Sequence, residues 1–346
     1  MDCDIRLLTN VDDDPAGFSA LVEVSRADYA QRNPGDPLPG PAEIAAEVFI
    51  TAPDRRGLVL AALVGDEAVG ALSTATESEP GDENQVSSIE IVIKSEFQRQ
   101  GVATALLAEA LPRLIADGQT SILGYPCADF ATDAAVGLAA KLGLTPRQEE
   151  RCSRALVANI DDDLMATWIA DAVESADGYR IEQWHGLCPP ALAEQWSRAR
   201  VAMEDQPLDG LDLNLYTRNV EQQRQADQAR LDSGFVMYRT LALAPDGRAA
   251  GMSEIWVHQE RPQIGFQGDT GVMAAHRGHG IGRWLKAANY QLVRRHHPEL
   301  AIIETYNAQS NPWMLAINVA MAFRPHHIYT GYQGPIGPAL AALGRS

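Results

Sequence analysis

The chain repeats itself once, at about half its length, and no other sequence feature constrains the fold as much. Gln98-Arg99-Gln100-Gly101-Val102-Ala103 recurs as Arg277-Gly278-His279-Gly280-Ile281-Gly282, an offset of 179 residues. The same offset, with no gap, sets Lys141-Leu142-Gly143-Leu144-Thr145-Pro146 on Ala320-Met321-Ala322-Phe323-Arg324-Pro325, and Glu90 on Asp269. Few residues are identical; the agreement lies in residue class and register over about 57 positions. A unit this long means a duplicated domain, because solenoid repeats run to roughly 20–50 residues. With 346 residues, each copy is large enough to bury its own core. The expected division is a first domain over 1–158, a linker over 159–177 and a second domain over 178–346. The linker is acidic (Asp161, Asp162, Asp163, Asp171, Glu174, Asp177), with room for a helix over Leu164 to Val173 between the domains.

Each copy shows the same order of elements. In the first, Ile5 to Leu8 is a strand. Residues 14–30 have helical apolar spacing, with Asp14 as N-cap before Pro15. Residues 33–41 carry four prolines and two glycines and form a loop. Leu58 to Val64 and Ala68 to Thr76 flank Gly65-Asp66 as a hairpin. Ser88 to Lys94 is a strand, 101–116 a helix, 120–125 a strand, 132–142 a helix and 145–157 a strand. In the second, Tyr179 to Trp184 is a strand, with helices over 190–204 and 218–232. Phe235 to Leu243 and Arg248 to His258 flank the turn Pro245-Asp246-Gly247. Then come strand 267–273, helix 280–296, strand 301–306, helix 312–321 and strand 323–333. The fold class is α/β, or α+β with a mixed sheet, twice over.

Lys and Arg total 28 against 46 Asp and Glu, a formal net charge of −18. That balance argues against nucleic acid and anionic membranes as partners, since phosphate surfaces demand a basic face. No apolar run is long enough to span a bilayer, the acidic N-terminus has no signal-peptide pattern, and a cytoplasmic location is expected. The four cysteines have neither metal-site nor disulfide-scaffold spacing. The pairs His276/His279, His296/His297 and His326/His327 lack a metal signature, so no metal is expected. The tryptophans at 184, 196, 256, 284 and 313 are expected as core or interface anchors.

In both copies a strand runs into a glycine turn that opens a helix. The first N–H groups of such a helix have no intrahelical partner and lie at the positive end of its dipole, which suits a pyrophosphate. The spacing is neither the Rossmann fingerprint nor a P-loop. From His276 to Pro298 there are five basic residues (Arg277, Arg283, Lys286, Arg294, Arg295) and no acidic one.

This Q/R-x-x-G-x-G/A pattern at a strand–helix junction resembles the acyl-CoA loop of GCN5-related N-acetyltransferases (GNAT). Gln98/Gly101/Ala103 and Arg277/Gly280/Gly282 both match it. The helix endings Leu142-Gly143-Leu144 and Met321-Ala322-Phe323 are similar to the family's, and the resemblance covers most of both halves. It implies two tandem GNAT-like domains and acetyl-CoA as acyl donor. In the second copy it implies donor contacts from Val272, Met273, Ala274, Arg277, Gly278, His279, Gly280, Ile281, Gly282, Arg283, Asn307 and Asn311; in the first, from Gln98, Gly101 and Ala103. The first copy has Thr132 where the second has Asn311, so the second is expected to be the active one and the first a weakened copy.

Acetyl transfer to an amine needs a base for the amine proton and a donor for the oxyanion. Asp269 is the leading base, with Glu90 its counterpart; Glu254, His258 and Glu304 are alternatives. Where many members of the family have a Tyr acid, this chain has Asn318, and Ala139 in the first copy. Either a tyrosine from a nearby strand (Tyr306, Tyr329 or Tyr332) is the substitute acid, or the thiolate leaves unassisted, or the chain is not an efficient acetyltransferase. The expected function is transfer of acetyl from acetyl-CoA to a small-molecule amine, in a monomer or homodimer. An acyl-CoA sensor without turnover and a protein N-acetyltransferase are the other readings.

Overall fold

The structure, a computed structural model, describes residues 3–49, 57–76, 81, 83–129, 133–215 and 217–344. In chain order its elements are β1 (Asp4–Leu8), α1 (Pro15–Arg32), α2 (Pro41–Val48), β2 (Val59–Val64), β3 (Glu67–Thr76), β4 (Val86–Ile93), α3 (Val102–Ala116), β5 (Ser121–Gly124), α4 (Asp133–Lys141), β6 (Thr145–Leu156) and α5 (Asp162–Ser175). They continue with β7 (Arg180–His185), α6 (Ala193–Arg200), α7 (Val220–Asp232), β8 (Phe235–Leu243), β9 (Ala249–His258), β10 (Ile264–Val272), α8 (Ile281–His296), β11 (Ile302–Ala308), α9 (Pro312–Ala320), β12 (Arg324–Pro335) and α10 (Ile336–Leu343).

Most expected elements are present. Asp14 caps α1 by accepting from the Gly17 N–H at 2.9 Å, and Pro15 opens the helix. Two helices were not expected. α2 begins at Pro41, where the proline-rich loop ends, and buries Ile44. α10 is a short apolar helix after the last strand. The helix expected over 190–204 is α6 followed by a 3-10 turn, because Pro189-Pro190 delays its start. Thr132 lies outside the described residues.

The chain divides into two compact units, and the division falls elsewhere than the expected boundary at 158. The first unit is Met1–Glu149, Leu208–Asn214 and Ile328–Ser346; the second is Glu150–Pro207 and Leu215–His327. The cuts fall inside β6 and β12, so each half's last strand lends most of its length to the other half's sheet. The first unit has the strand order β1-β2-β3-β4-β5-β12, and the second β7-β8-β9-β10-β11-β6. In each, every neighbouring pair is antiparallel except one, β4 with β5 and β10 with β11. The segment expected as a linker holds α5, which packs on α8 within the second unit.

The cores follow from strand alternation. In the first unit Leu60 and Ala62 of β2 pack with Leu106, Leu107 and Leu111 of α3. Val59, Ala61 and Leu63 point the other way, into Phe18, Leu21 and Val24 of α1. Ile336, Ala339 and Leu343 of α10 join the α3 side. In the second unit Ile255 and Val257 pack with Ala287, Tyr290 and Val293 of α8, while Leu241 and Met252 meet Trp184 and Trp196 on the opposite face. Trp184, Trp196 and Trp284 are buried as expected, but Trp313 is 83% exposed at the start of α9. Among the described residues no helix is long and apolar enough to cross a membrane.

Candidate active site

The repeated loop has the same backbone in both units. Strands β4 and β10 end in a 3-10 turn (Ser95–Phe97 and Ala274–His276), again offset by 179. Gly101 (φ 90°, ψ 0°) and Gly280 (φ 72°, ψ −1°) then open α3 and α8 in the left-handed region. Neither helix has a side-chain cap at its N-terminus. A Cβ placed at Gly278 or Gly280 would meet nothing within 4 Å, so both face open space. Gly282 has no Cβ neighbour closer than 3.4 Å. Packing does not demand glycine there, which leaves close approach by a ligand as its physical use.

The first motif residue holds the loop in place. The Gln98 side chain donates to the carbonyl of Ile93 at 3.3 Å, and Arg277 Nε to the carbonyl of Val272 at 3.1 Å. Arg277 also pairs with Asp205 at 2.8 Å. These side chains, expected on the donor, fasten strand end to loop in this structure. Asn311 likewise caps α9, accepting from the Met314 N–H at 3.2 Å.

The parallel pairing stops at the same point in both units. β4 and β5 pair as far as Ser88 with Leu123, and β10 and β11 as far as Gln267 with Thr305. Glu90 and Asp269 lie two residues beyond. The units differ on the other edge. β4 keeps a regular register with β3, whereas β10 breaks register with β9 between Gln267 and Thr270. Gly268 and Asp269 lie in that break, where the ladder is locally disrupted.

Asp269 ends a chain of alternating charges. Asp227 of α7 binds Arg239 of β8 at 2.5 and 2.7 Å. Arg239 binds Glu254 of β9 at 3.1 Å, Glu254 takes Arg200 of α6 at 3.2 Å, and Arg200 reaches Asp269 at 2.9 Å. Asp227, Arg239 and Glu254 are fully buried; the Asp269 side chain is 34% exposed. Burial pushes Glu254 up, but Arg239 and Arg200 outweigh it and hold the carboxylate at about 2. A group so held is no base near neutrality. Burial pushes Asp269 up, and the neighbouring Glu254 adds to the shift against Arg200. Asp269 and its counterpart Glu90 both combine solvent access with a raised pKa two residues beyond the last parallel pair; they differ in that a register break lies beside Asp269 and none beside Glu90.

The other candidates are occupied. Glu304 is buried, paired with Arg154 of β6 at 2.6 Å, and accepts the Tyr306 hydroxyl at 2.6 Å. Tyr306, 41% exposed, therefore spends its proton on Glu304. His258 is buried against the carbonyl of Ser233 at 3.0 Å. Tyr329 accepts from Arg32 at 3.1 Å in the first unit, where the charge of Arg32 also acts on Glu90. Arg283 of α8 lies over the Trp168 ring at 5.8 Å. Sequence reasoning missed Arg200, Arg239 and Asp227, because no local spacing connects residues on three separate elements. It also missed Lys286 as more than one of a basic run; here it is buried and donates to Asn318 at 2.6 Å.

Residues 20–144 match the model of the "Acetyltransferase (GNAT) family". That match lies in the copy expected to be the weaker one. No curated protein matches the sequence. Among solved structures, a tandem GNAT protein from the clavulanic acid biosynthesis pathway is similar over 97% of this chain and 99% of its own, with 22% identity and a TM-score of 0.77. A GCN5-related N-acetyltransferase from Sphaerobacter thermophilus matches over 96% of both chains, at 15% identity and TM-score 0.64. A GCN5-related glucosamine N-acetyltransferase region of a fungal multi-domain protein matches over 96% of this chain and 38% of that one, at 14% identity and TM-score 0.63.

Proposed function

For a chain with two GNAT folds in tandem, we propose acyl-CoA-dependent N-acetylation of a small-molecule amine, carried out in the second unit. The observation that carries this reading is the bulged opening of β10, with Asp269 at its edge and the uncapped, open-faced Gly278–Gly280 loop following the same strand. The loop and the first N–H groups of α8 receive the pyrophosphate of the donor. The bulge offers its N–H groups to the thioester oxygen as it becomes an oxyanion.

Asp269 is the open end of a network of three carboxylates and two guanidiniums, with the charge of Arg230 also acting on Glu254 and Asp269. The acceptor amine enters beside it. The amine reaches the carbonyl carbon with its lone pair free, Asp269 takes the nitrogen's surplus proton as the C–N bond forms, and Arg200 and Glu254 fix the carboxylate's position. Two similar proteins are described by small molecules, one by a biosynthetic pathway and one by glucosamine. That supports a small acceptor over a protein one.

The test is thiol release from acetyl-CoA across a panel of primary amines. Asp269→Asn keeps the shape and removes the base. We expect the turnover rate to fall by about 10²–10⁴-fold with the donor KM little changed. An unchanged rate would remove Asp269 from the mechanism, and no turnover with any amine in a wild type that binds acetyl-CoA would favour an acyl-CoA sensor. The first unit's loop has the same backbone and lies in the family match, which supports a second donor site there; Gly101→Trp tests it separately.

A further inference from the structure

The basic run of α8 contains one lysine that does not reach solvent. Lys286 is 1% exposed. Its ammonium donates to Asn318 Oδ1 at 2.6 Å, lies 3.9 Å from the Met314 sulfur and stands 5.4 Å from the centre of the Phe323 ring. None of these groups is charged, and burial alone moves its titration, down to about 7. A buried ammonium without a counter-ion is costly, so burial leaves this lysine only partly charged near neutrality, and an anion formed at the end of its hydrogen bonds restores the charge.

The hydrogen bonds run on towards the opening. Asn318 Nδ2 donates to Asn307 Oδ1 at 2.7 Å. Asn307 lies on β11 two residues past Thr305, as Asp269 lies on β10 two residues past Gln267, and those two residues are the last parallel pair. The two groups approach from opposite faces. Asp269 is held by Arg200 of α6, and Asn307 by Asn318 of α9. With its oxygen taken, Asn307 has its NH2 to offer a ligand.

We propose that Lys286, acting through Asn318 and Asn307, stabilises the thiolate that leaves the acyl donor. This rests on the acyl transfer proposed above. In that step the amine nitrogen forms a bond to the carbonyl carbon, and its proton goes to Asp269. The C–S bond breaks, its electron pair stays on sulfur, and the thiolate takes a proton from water on release. The negative charge on sulfur is the missing counter-ion of Lys286. The cation polarises the Asn318 amide, which strengthens each donor further along the chain. No tyrosine acid is then needed, and the Tyr306 hydroxyl remains on Glu304. Lys286 and Asn318 are positioning residues, and Asn307 is the contact.

The test needs no acceptor. Free CoA is bound to the intact protein, and ionisation of its thiol is followed by thiolate ultraviolet absorbance. We expect the bound thiol to ionise at least one pH unit below an ordinary thiol, a tenfold change or more in its ionisation constant. Lys286→Met and Asn307→Leu should each remove that shift, while desulfo-CoA binds wild type and variants alike. Asn307→Leu leaves the α8–α9 packing in place, so it decides the matter if Lys286→Met misfolds. A thiol unshifted in the wild type, or equally shifted in both variants, overturns the proposal and leaves the acyltransferase reading intact. A wild type that binds no CoA overturns both.

Discussion

At the scale of single residues, the duplication exposes positions where backbone and side chain disagree. Gly143 has φ 73°, and its counterpart in the second unit, Ala322, is forced to φ 64°. Gly278 has φ 87°, and its counterpart Arg99 sits at φ 59°. A left-handed conformation costs a residue with a Cβ roughly 1–2 kcal/mol. Ala322→Gly should therefore stabilise the protein by about 1 kcal/mol, partly offset by the entropy of a freer unfolded chain. Gly143→Ala should destabilise it by a similar amount, since a Cβ there meets no neighbour and only φ is strained. Urea melts of both variants check the opposite signs. Lys286 gives a pH-dependent case. Burial lowers its pKa from 10.5 to about 7. Between those values the unfolded chain holds a proton that the native chain lacks, so this residue makes stability rise with pH by up to about 1.4 kcal/mol per unit. Lys286→Met lacks that slope. The variant's stability relative to wild type should be highest at or below pH 7 and fall steadily towards pH 10.5. Parallel curves in melts at pH 6, 8 and 10 would show that the native lysine titrates as it does unfolded.

At the scale of elements, strands, hairpins and the long helices were legible because period and turn chemistry are local. The cap at Asp14, the turn at Gly65-Asp66 and the glycine loops belong to the same class. α2 was obscured by the prolines before it, although Pro41 is itself a helix-opening signal. The glycine loop that opens α3 and α8, and the equivalence of Glu90 with Asp269, were legible through the repeat. The arginines that set the charge of Asp269 were not, since pairing across α6, α7, β8 and β9 is a product of the sheet and leaves no spacing in the chain. The bulge that separates β10 from its regular counterpart β4 was also invisible, because Gly268 alone does not say where the ladder slips. The loops can be told apart by bulk. Gly280→Trp places an indole where no protein atom lies within 4 Å of the Cβ. It should cost about 1–2 kcal/mol of local strain and abolish acetyl-CoA binding at the second unit. Gly101→Trp should affect only the first. Calorimetric titration of acetyl-CoA reads both. Loss of all binding in Gly101→Trp with full binding in Gly280→Trp would reverse the assignment of the active unit.

At the scale of the whole molecule, the unexpected finding is which sheet each last strand joins. β6 and β12 occupy equivalent sites in the two sheets, and each pairs in the unit built mainly from the other half. Alternation states that a strand is half-buried and says nothing about which equivalent edge it fills, so a cut at 158 was the natural expectation. The exchange makes the ends of the chain matter far from where they lie in sequence. β12 pairs with β5, the Gln333 side chain exchanges hydrogen bonds with Asp212 at 2.8 Å, and Ile336, Ala339 and Leu343 of α10 are buried against the α3 core. Removing residues 328–346 should therefore unfold the first unit while leaving the second with its complete six-stranded sheet. Ile336 and Leu343 at about 1.5–3 kcal/mol each, with the smaller Ala339 and the lost β12 ladder, approach the whole stability of a typical domain. Hydrogen exchange locates the damage. Amides of β4, β5 and α3 should lose protection in the truncated chain, and those of β9, β10 and α8 should keep it. The reverse pattern, with β10 and α8 exposed and β5 protected, would place the last strand in the half that encodes it. Residues 1–149 expressed alone should fail to give a cooperative melt and recover one when residues 328–346 are appended through a flexible linker.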